Sequence, residues 1–167
     1  MAYKDGEVQW IPVDPFDPDI GRAMLFPLLL KRMLDFAQIH YAEMNPLAQV
    51  RSLASKACKG DPVLLLAAVT PDGKLIGHTA CVLQEEGGRH WVFMLQSKLD
   101  EPSGDAIQRA LEIGKAYARK HGAEMLIFES KRSDSAWVRA VPGIKTLRHF
   151  MYVPVDGTPE KQVSMSG

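Results

Sequence analysis

The sequence predicts an α+β domain built on a mixed β-sheet flanked by helices. Three observations carry this expectation. Val63–Val69 (VLLLAAV) is an unbroken apolar run of the kind that fills a strand buried on both faces. Two further strand-like segments follow, Lys74–Gln84 and Arg89–Ser97, joined by Thr70-Pro71-Asp72-Gly73 and Glu85-Glu86-Gly87-Gly88, so the three form an antiparallel meander. Residues Gly104 to His121 then repeat apolar side chains at helical spacing and lead to the apolar strand Glu124–Glu129, through a crossover expected to be right-handed.

The remaining elements complete the order β-α-α-β-β-β-α-β-α-β. Glu7–Val13 reads as a short first strand, with Pro12 placing it on an edge or ending it, because proline lacks the backbone donor. Asp14-Pro15-Phe16-Asp17-Pro18-Asp19 is a rigid turn. Its acids lack the glycine and distal glutamate of a calcium loop. Ile20–His40 carries a helical stripe of Leu25, Leu28, Leu29, Arg32/Met33, Phe36 and Ile39/His40, with Pro27 either kinking the helix or lying in the first turn of its main part. Pro46–Ala57 forms a shorter helix with Leu47, Val50, Leu53, Ala54 and Ala57 on one face, ended by Gly60-Asp61-Pro62. In the long helix, Ile107, Ala110/Leu111, Gly114 and Ala118 face inward, and Gly122 caps the end. Ser133–Val141 makes a short helix, stopped by Pro142-Gly143, and Ile144–Val155 a last strand. Residues 1–155 thus read as one domain and 156–167 as a polar tail.

Composition narrows the function classes. The 167 residues hold 20 Lys+Arg and 20 Asp+Glu, and a zero net charge argues against a protein whose main task is to hold nucleic acid. Two cysteines make neither a disulfide framework nor a zinc pattern. The N-terminus is not a signal peptide, and the longest apolar stretch, Ala23–Leu30, is too short to cross a bilayer, so the expected setting is cytoplasmic, away from membranes. No Gly-x-x-x-x-Gly-Lys loop and no serine hydrolase motif occurs.

The element order resembles the GNAT superfamily of N-acetyltransferases. The resemblance covers roughly Glu7 to Val155, with local echoes in Asp72-Gly73-Lys74-Leu75-Ile76-Gly77 and in Gly104–Phe128. It implies that the fourth and fifth strands run parallel and part, that acetyl-CoA enters the gap, and that its pantetheine arm pairs with the strand-four backbone at Met94, Leu95, Gln96 and Ser97. The pyrophosphate would rest on amides around Ser103, Gly104 and Asp105, where a helix N-terminus favours an anion. Ser130, after the fifth strand, would also face the ligand or else cap the next helix. The family's loop reads Arg/Gln-x-x-Gly-x-Gly/Ala. Here the matching positions are Leu99, Pro102 and Gly104, so the loop is degenerate, and Asp100, Glu101 and Asp105 put three carboxylates around it.

Acetyl transfer needs a proton acceptor for the amine and a donor for the departing thiolate. The strand-four carboxylate and the last-helix tyrosine usual in the family have no counterpart, since Arg139 stands four residues before Gly143. His78 and Tyr152 are therefore the candidate catalytic groups, each weighed against a structural reading as a satisfied core histidine and a packing tyrosine. His90 is read as a surface turn residue and Cys81 as a small buried thiol. Two functions follow. One is transfer of acetyl from acetyl-CoA to an amine on a small molecule or peptide. The alternative is a GNAT-shaped binding or assembly protein without transfer activity. An exposed edge strand or the tail is the surface a homodimer would use.

Overall fold

The computed structural model describes residues 7–101, 105–129, 136, 137, 139, 141 and 143–145. Its elements are β1 (Gln9–Pro12), α1 (Ile20–Ala23), α2 (Leu25–His40), a 3₁₀ turn (Ala42–Met44), α3 (Pro46–Lys59), β2 (Val63–Val69), β3 (Leu75–Glu86), β4 (Arg89–Leu99), α4 (Ala106–Lys120) and β5 (Leu126–Phe128). The five strands form one sheet in the order β1-β2-β3-β4-β5. The first three pairings are antiparallel and β4–β5 is parallel. This is the mixed sheet and the meander that the sequence predicts. Pro12 is the last residue of β1, which lies at the edge of the sheet, where its missing N–H costs no ladder bond.

The helices cover opposite faces. Leu29 and Met33 of α2 and Val50 and Leu53 of α3 pack on Leu65, Ala67, Ala80 and Val82. On the other face Leu111 and Ala118 of α4 pack on Cys81, Val92 and Met94. Gly114 lets α4 approach β5, since a Cβ there would stand 3.0 Å from the Leu126 side chain. The α3 helix stops at Gly60, whose φ of 75° is the left-handed conformation that a Cβ disfavours.

Two expectations need correction. The region Ile20–His40 is not one helix. It breaks at Met24, and Pro27 is the third residue of α2, where the amide it lacks would have had no intrahelical partner. The expected inward stripes are also narrower: Leu28, Ile39 and Leu47 are exposed, and Ala37 is buried instead. The short helix expected over Ser133–Val141 agrees at its described positions, because Ala136, Trp137 and Arg139 are helical and the Val141 amide donates to the Trp137 carbonyl at 2.8 Å. The expected last strand, from 146 onward, and the tail lie outside the described residues, with Ile144 and Lys145 in no regular element.

Candidate active site

Among the described residues the fifth strand pairs with the fourth over three positions, Val92↔Leu126, Phe93↔Ile127 and Met94↔Phe128. One residue later β4 changes character. Ala80 of β3 pairs with Gln96 and Cys81 with Met94, so Leu95 is an extra residue, a β-bulge. The bulge bends β4 where β5 ends, and among the described residues Leu95–Leu99 have no partner on the β5 side. A cavity of about 180 Å³ opens beside this point, lined by Tyr41, Met44, Gln49, Gln84, Phe93, Met94, Leu95 and Glu129.

The bulge also reverses which way the chain faces. Before it, Met94 packs against Leu111 of α4. After it, Gln96 turns to the other face, where its Nε2 donates to the Met33 carbonyl of α2 at 3.3 Å and to the Gln49 Oε1 of α3 at 3.1 Å. Its Oε1 meets His78 Nε2 at 2.8 Å. The Arg32 Nε donates to the other ring nitrogen, His78 Nδ1, at 3.2 Å. Nδ1 therefore accepts and Nε2 carries the proton. His78 is fully buried, and burial pushes its pKa down to about 4. Both nitrogens are committed, so no lone pair is open to an amine. In this arrangement His78 is a neutral connector between Arg32 and Gln96, the structural reading of that residue. His90, at the far end of β4, pairs with Glu85 at 3.2 Å.

The carboxylates that crowd the loop after β4 are largely answered. Arg32 donates from Nη1 to Asp100 Oδ2 at 3.1 Å and from Nη2 to the other oxygen. This guanidinium holds the Asp100 carboxyl below its ordinary range. The Asp105 carboxylate lies 2.8 Å from Arg109 Nε. It does not cap α4 through its side chain but neutralises a residue one turn on.

Two residues that sequence reasoning missed stand in the cavity. Tyr41 follows α2, and Glu129 follows β5. Desolvation raises the Tyr41 hydroxyl pKa first, with Glu129 and Glu43 adding to it through their charges, so an uncharged phenol faces carboxylates from two other elements. Of the other expected positions, Met94, Leu95, Gln96 and Ser97 do lie on the unpaired part of β4 or at its start. Asp105 immediately precedes α4. Tyr152, Ser103, Gly104 and Ser130 lie outside the described residues. Cys81 is buried, with its pKa pushed up to about 12, as suits an inert thiol. Among the described residues, no group of three acids, histidines or cysteines is placed to hold a metal ion, and no helix is long and apolar enough to cross a membrane.

No family model and no curated protein matches this chain in sequence. Solved structures do match in shape. The structure of a predicted acetyltransferase with acetyl-CoA from Clostridium acetobutylicum superposes with a TM-score of 0.61 at 12% identity, over 88% of this chain and 96% of that one. The chain has a GNAT-like fold. An aminoglycoside acetyltransferase from an uncultured soil metagenomic sample, in complex with sisomicin, gives 0.56 at 15% identity, over 90% of this chain and 99% of that one. An integron cassette protein from the mobile metagenome of V. cholerae gives 0.54 at 14% identity, over 96% and 99%. At such identities the likeness is one of fold, and the GNAT-like sheet with its bulged fourth strand is what carries any argument about chemistry.

Proposed function

We propose that this chain transfers an acetyl group from acetyl-CoA to a primary amine. The observation that carries the reading is the parting of β4 from β5 at Met94, with a bulge and a cavity at the same place. The main chain of Met94–Ser97 pairs with the pantetheine arm, and the segment 103–105 with Ser130 receives the phosphates. The acceptor enters beside Tyr41, Phe93 and Glu129. Its amine nitrogen attacks the thioester carbonyl, the C–S bond breaks, and the sulfur leaves as thiolate. Glu129 takes the proton that the amine loses, a role that His78 is not free to fill. Tyr152 is the group proposed to protonate the thiolate. What supports acetyl-CoA as donor is that Asp100 and Asp105 are paired with arginines and do not face a phosphate uncompensated.

Binding without transfer is the second reading, and the closed state of His78 favours it. One experiment separates the two. Acetyl-CoA at a hundredfold over its dissociation constant should add about 2.7 kcal/mol of stability, read as a rise in Tm. A rise accompanied by amine-dependent release of free CoA thiol supports transfer. A rise without thiol release supports the binding protein, and no rise at millimolar ligand overturns both uses of the gap.

A further inference from the structure

Among the described residues, the opposite edge of the sheet is open in a specific way. The Val13 amide donates to the Leu65 carbonyl of β2 at 2.8 Å, so in this antiparallel ladder the main-chain groups of Val13, Ile11 and Gln9 turn toward β2. Those of Val8, Trp10 and Pro12 then turn outward. The outward Val8 carbonyl is already answered, because Arg109 Nη1 donates to it at 2.6 Å. Pro12 has a carbonyl and no N–H. Among the described residues Trp10 is left with both an outward amide and an outward carbonyl, the pair that one residue of an added antiparallel strand can satisfy.

A groove of about 520 Å³ runs along this edge, past all four residues of β1. Arg22 of α1 stands on one wall, and Arg109 and Glu112 of α4 on the other. The charges on the α4 wall are internally balanced, Arg109 by Asp105 at 2.8 Å and Glu112 by Lys115 at 2.9 Å. The exposed Arg22 guanidinium makes no hydrogen bond or ion pair among the described residues. The uncompensated charge of the groove is therefore positive and lies on the α1 wall.

We infer that the edge of β1 docks an extended partner segment that reads carboxylate–apolar–carboxylate. The residue opposite Trp10 exchanges both hydrogen bonds with it and points its side chain to the α4 face, as Trp10 does, where Ile113 and the indole favour an apolar group. The residues on either side point to the α1 face, where Arg22 selects a carboxylate. Pro12 limits the pairing to one two-bond contact, so the complex is short and exchanges quickly. Nothing in this inference depends on acetyl transfer.

The test uses three blocked peptides: acetyl-Thr-Glu-Val-Glu-Thr-amide, its lysine counterpart Thr-Lys-Val-Lys-Thr, and the face-swapped Thr-Val-Glu-Val-Thr. Amide hydrogen exchange is followed at Trp10 in the full chain. The Glu-Val-Glu peptide should slow exchange at Trp10 about tenfold at saturation and the other two should not. Arg22→Glu, at an exposed position, should transfer the preference to the lysine peptide. Equal protection by all three peptides, or by none, overturns the inference. So does a Trp10 amide protected in the free protein at every concentration, which means the chain covers its own edge. Protection that grows with protein concentration assigns the edge to a second copy and likewise overturns it.

Discussion

Arg32 holds Asp100 and His78 at once: its two Nη groups donate to the Asp100 carboxylate and its Nε to His78 Nδ1. A fourth bond runs from Nη2 to the Ile76 carbonyl at 3.1 Å. One side chain from α2 thus ties the beginning of β3 to the first residue after β4. Removing it by Arg32→Ala leaves a buried ring nitrogen without a donor and should destabilise the fold by about 2 kcal/mol, read by urea denaturation. Little of that is the ion pair itself, because the Asp100 side chain is half exposed. The variant also frees the Asp100 charge. A carboxylate about 6 Å from a phosphate costs roughly 1–3 kcal/mol at an effective dielectric of 20 to 60. Acetyl-CoA affinity should therefore fall about fivefold or more, and Asp100→Asn in the same background should restore it. Affinity that stays unchanged in Arg32→Ala would place the phosphates away from this loop.

The burial of His78 makes stability fall in acid. Its pKa is about 4 when folded against an ordinary value of 6.5. Between those values the unfolded chain binds a proton that the folded chain does not, so stability rises with pH through this window by about 1.4 kcal/mol per unit at most, and the penalty is absent above it. The Arg32–Asp100 pair acts in the same direction at lower pH, since a carboxyl with a lowered pKa stabilises the fold above its ordinary range and loses that contribution as it protonates. Unfolding free energies at pH 5 and pH 7 should differ by about 2 kcal/mol from His78 alone. His78→Gln should flatten the upper part of this slope, and an unchanged slope would refute the assignment.

The sequence carried the sheet because its strands advertise themselves: Val63–Val69 is apolar throughout, and the two turns that follow are rich in Asp, Gly and Glu. It also carried α4, whose buried Ala110, Leu111, Gly114 and Ala118 are the expected inward stripe. The bulge left no trace. Trp91-Val92-Phe93-Met94-Leu95-Gln96 shows no glycine and no break in its strand-like texture, and the extra residue is fixed only by pairing with β3. The hub was half visible. Arg32 falls in the apolar stripe of its helix, and a charge in that position signals a buried partner, yet nothing local says that the partners are His78 and Asp100. Tyr41 and Glu129 are brought to one cavity from the ends of α2 and β5, across 88 positions of chain, and only the fold makes that meeting. An acid that closes an apolar strand, as Glu129 closes Leu126–Phe128, was the one local signal available.

The two cysteines should be distinguishable by reaction rate. Cys58 is exposed and Cys81 is buried with a thiol pKa of about 12. At pH 8 a disulfide reagent should therefore label one thiol per chain quickly and the second only on unfolding. Rapid reaction of both in native conditions would mean that the β3–α4 layer opens, and it would remove the packing on which the position of Met94 depends. The single fast thiol also sets the background against which release of CoA thiol is measured.

Glu129 gives the sharpest test of the proposed chemistry. It borders the cavity at the end of β5 and raises the pKa of Tyr41 by its charge. A group that accepts the amine proton contributes about a hundredfold or more to rate, and little to donor binding when the donor lies along β4. Glu129→Gln keeps shape and hydrogen bonding while removing the basic oxygen. It should lower kcat/KM for the amine by about a hundredfold and leave the acetyl-CoA-induced rise in Tm intact. Loss of the rise would make the residue part of donor binding. Full activity would exclude it as the base and turn attention to a water relay from Tyr41, for which Tyr41→Phe, lacking the hydroxyl and retaining the ring, is the matching variant.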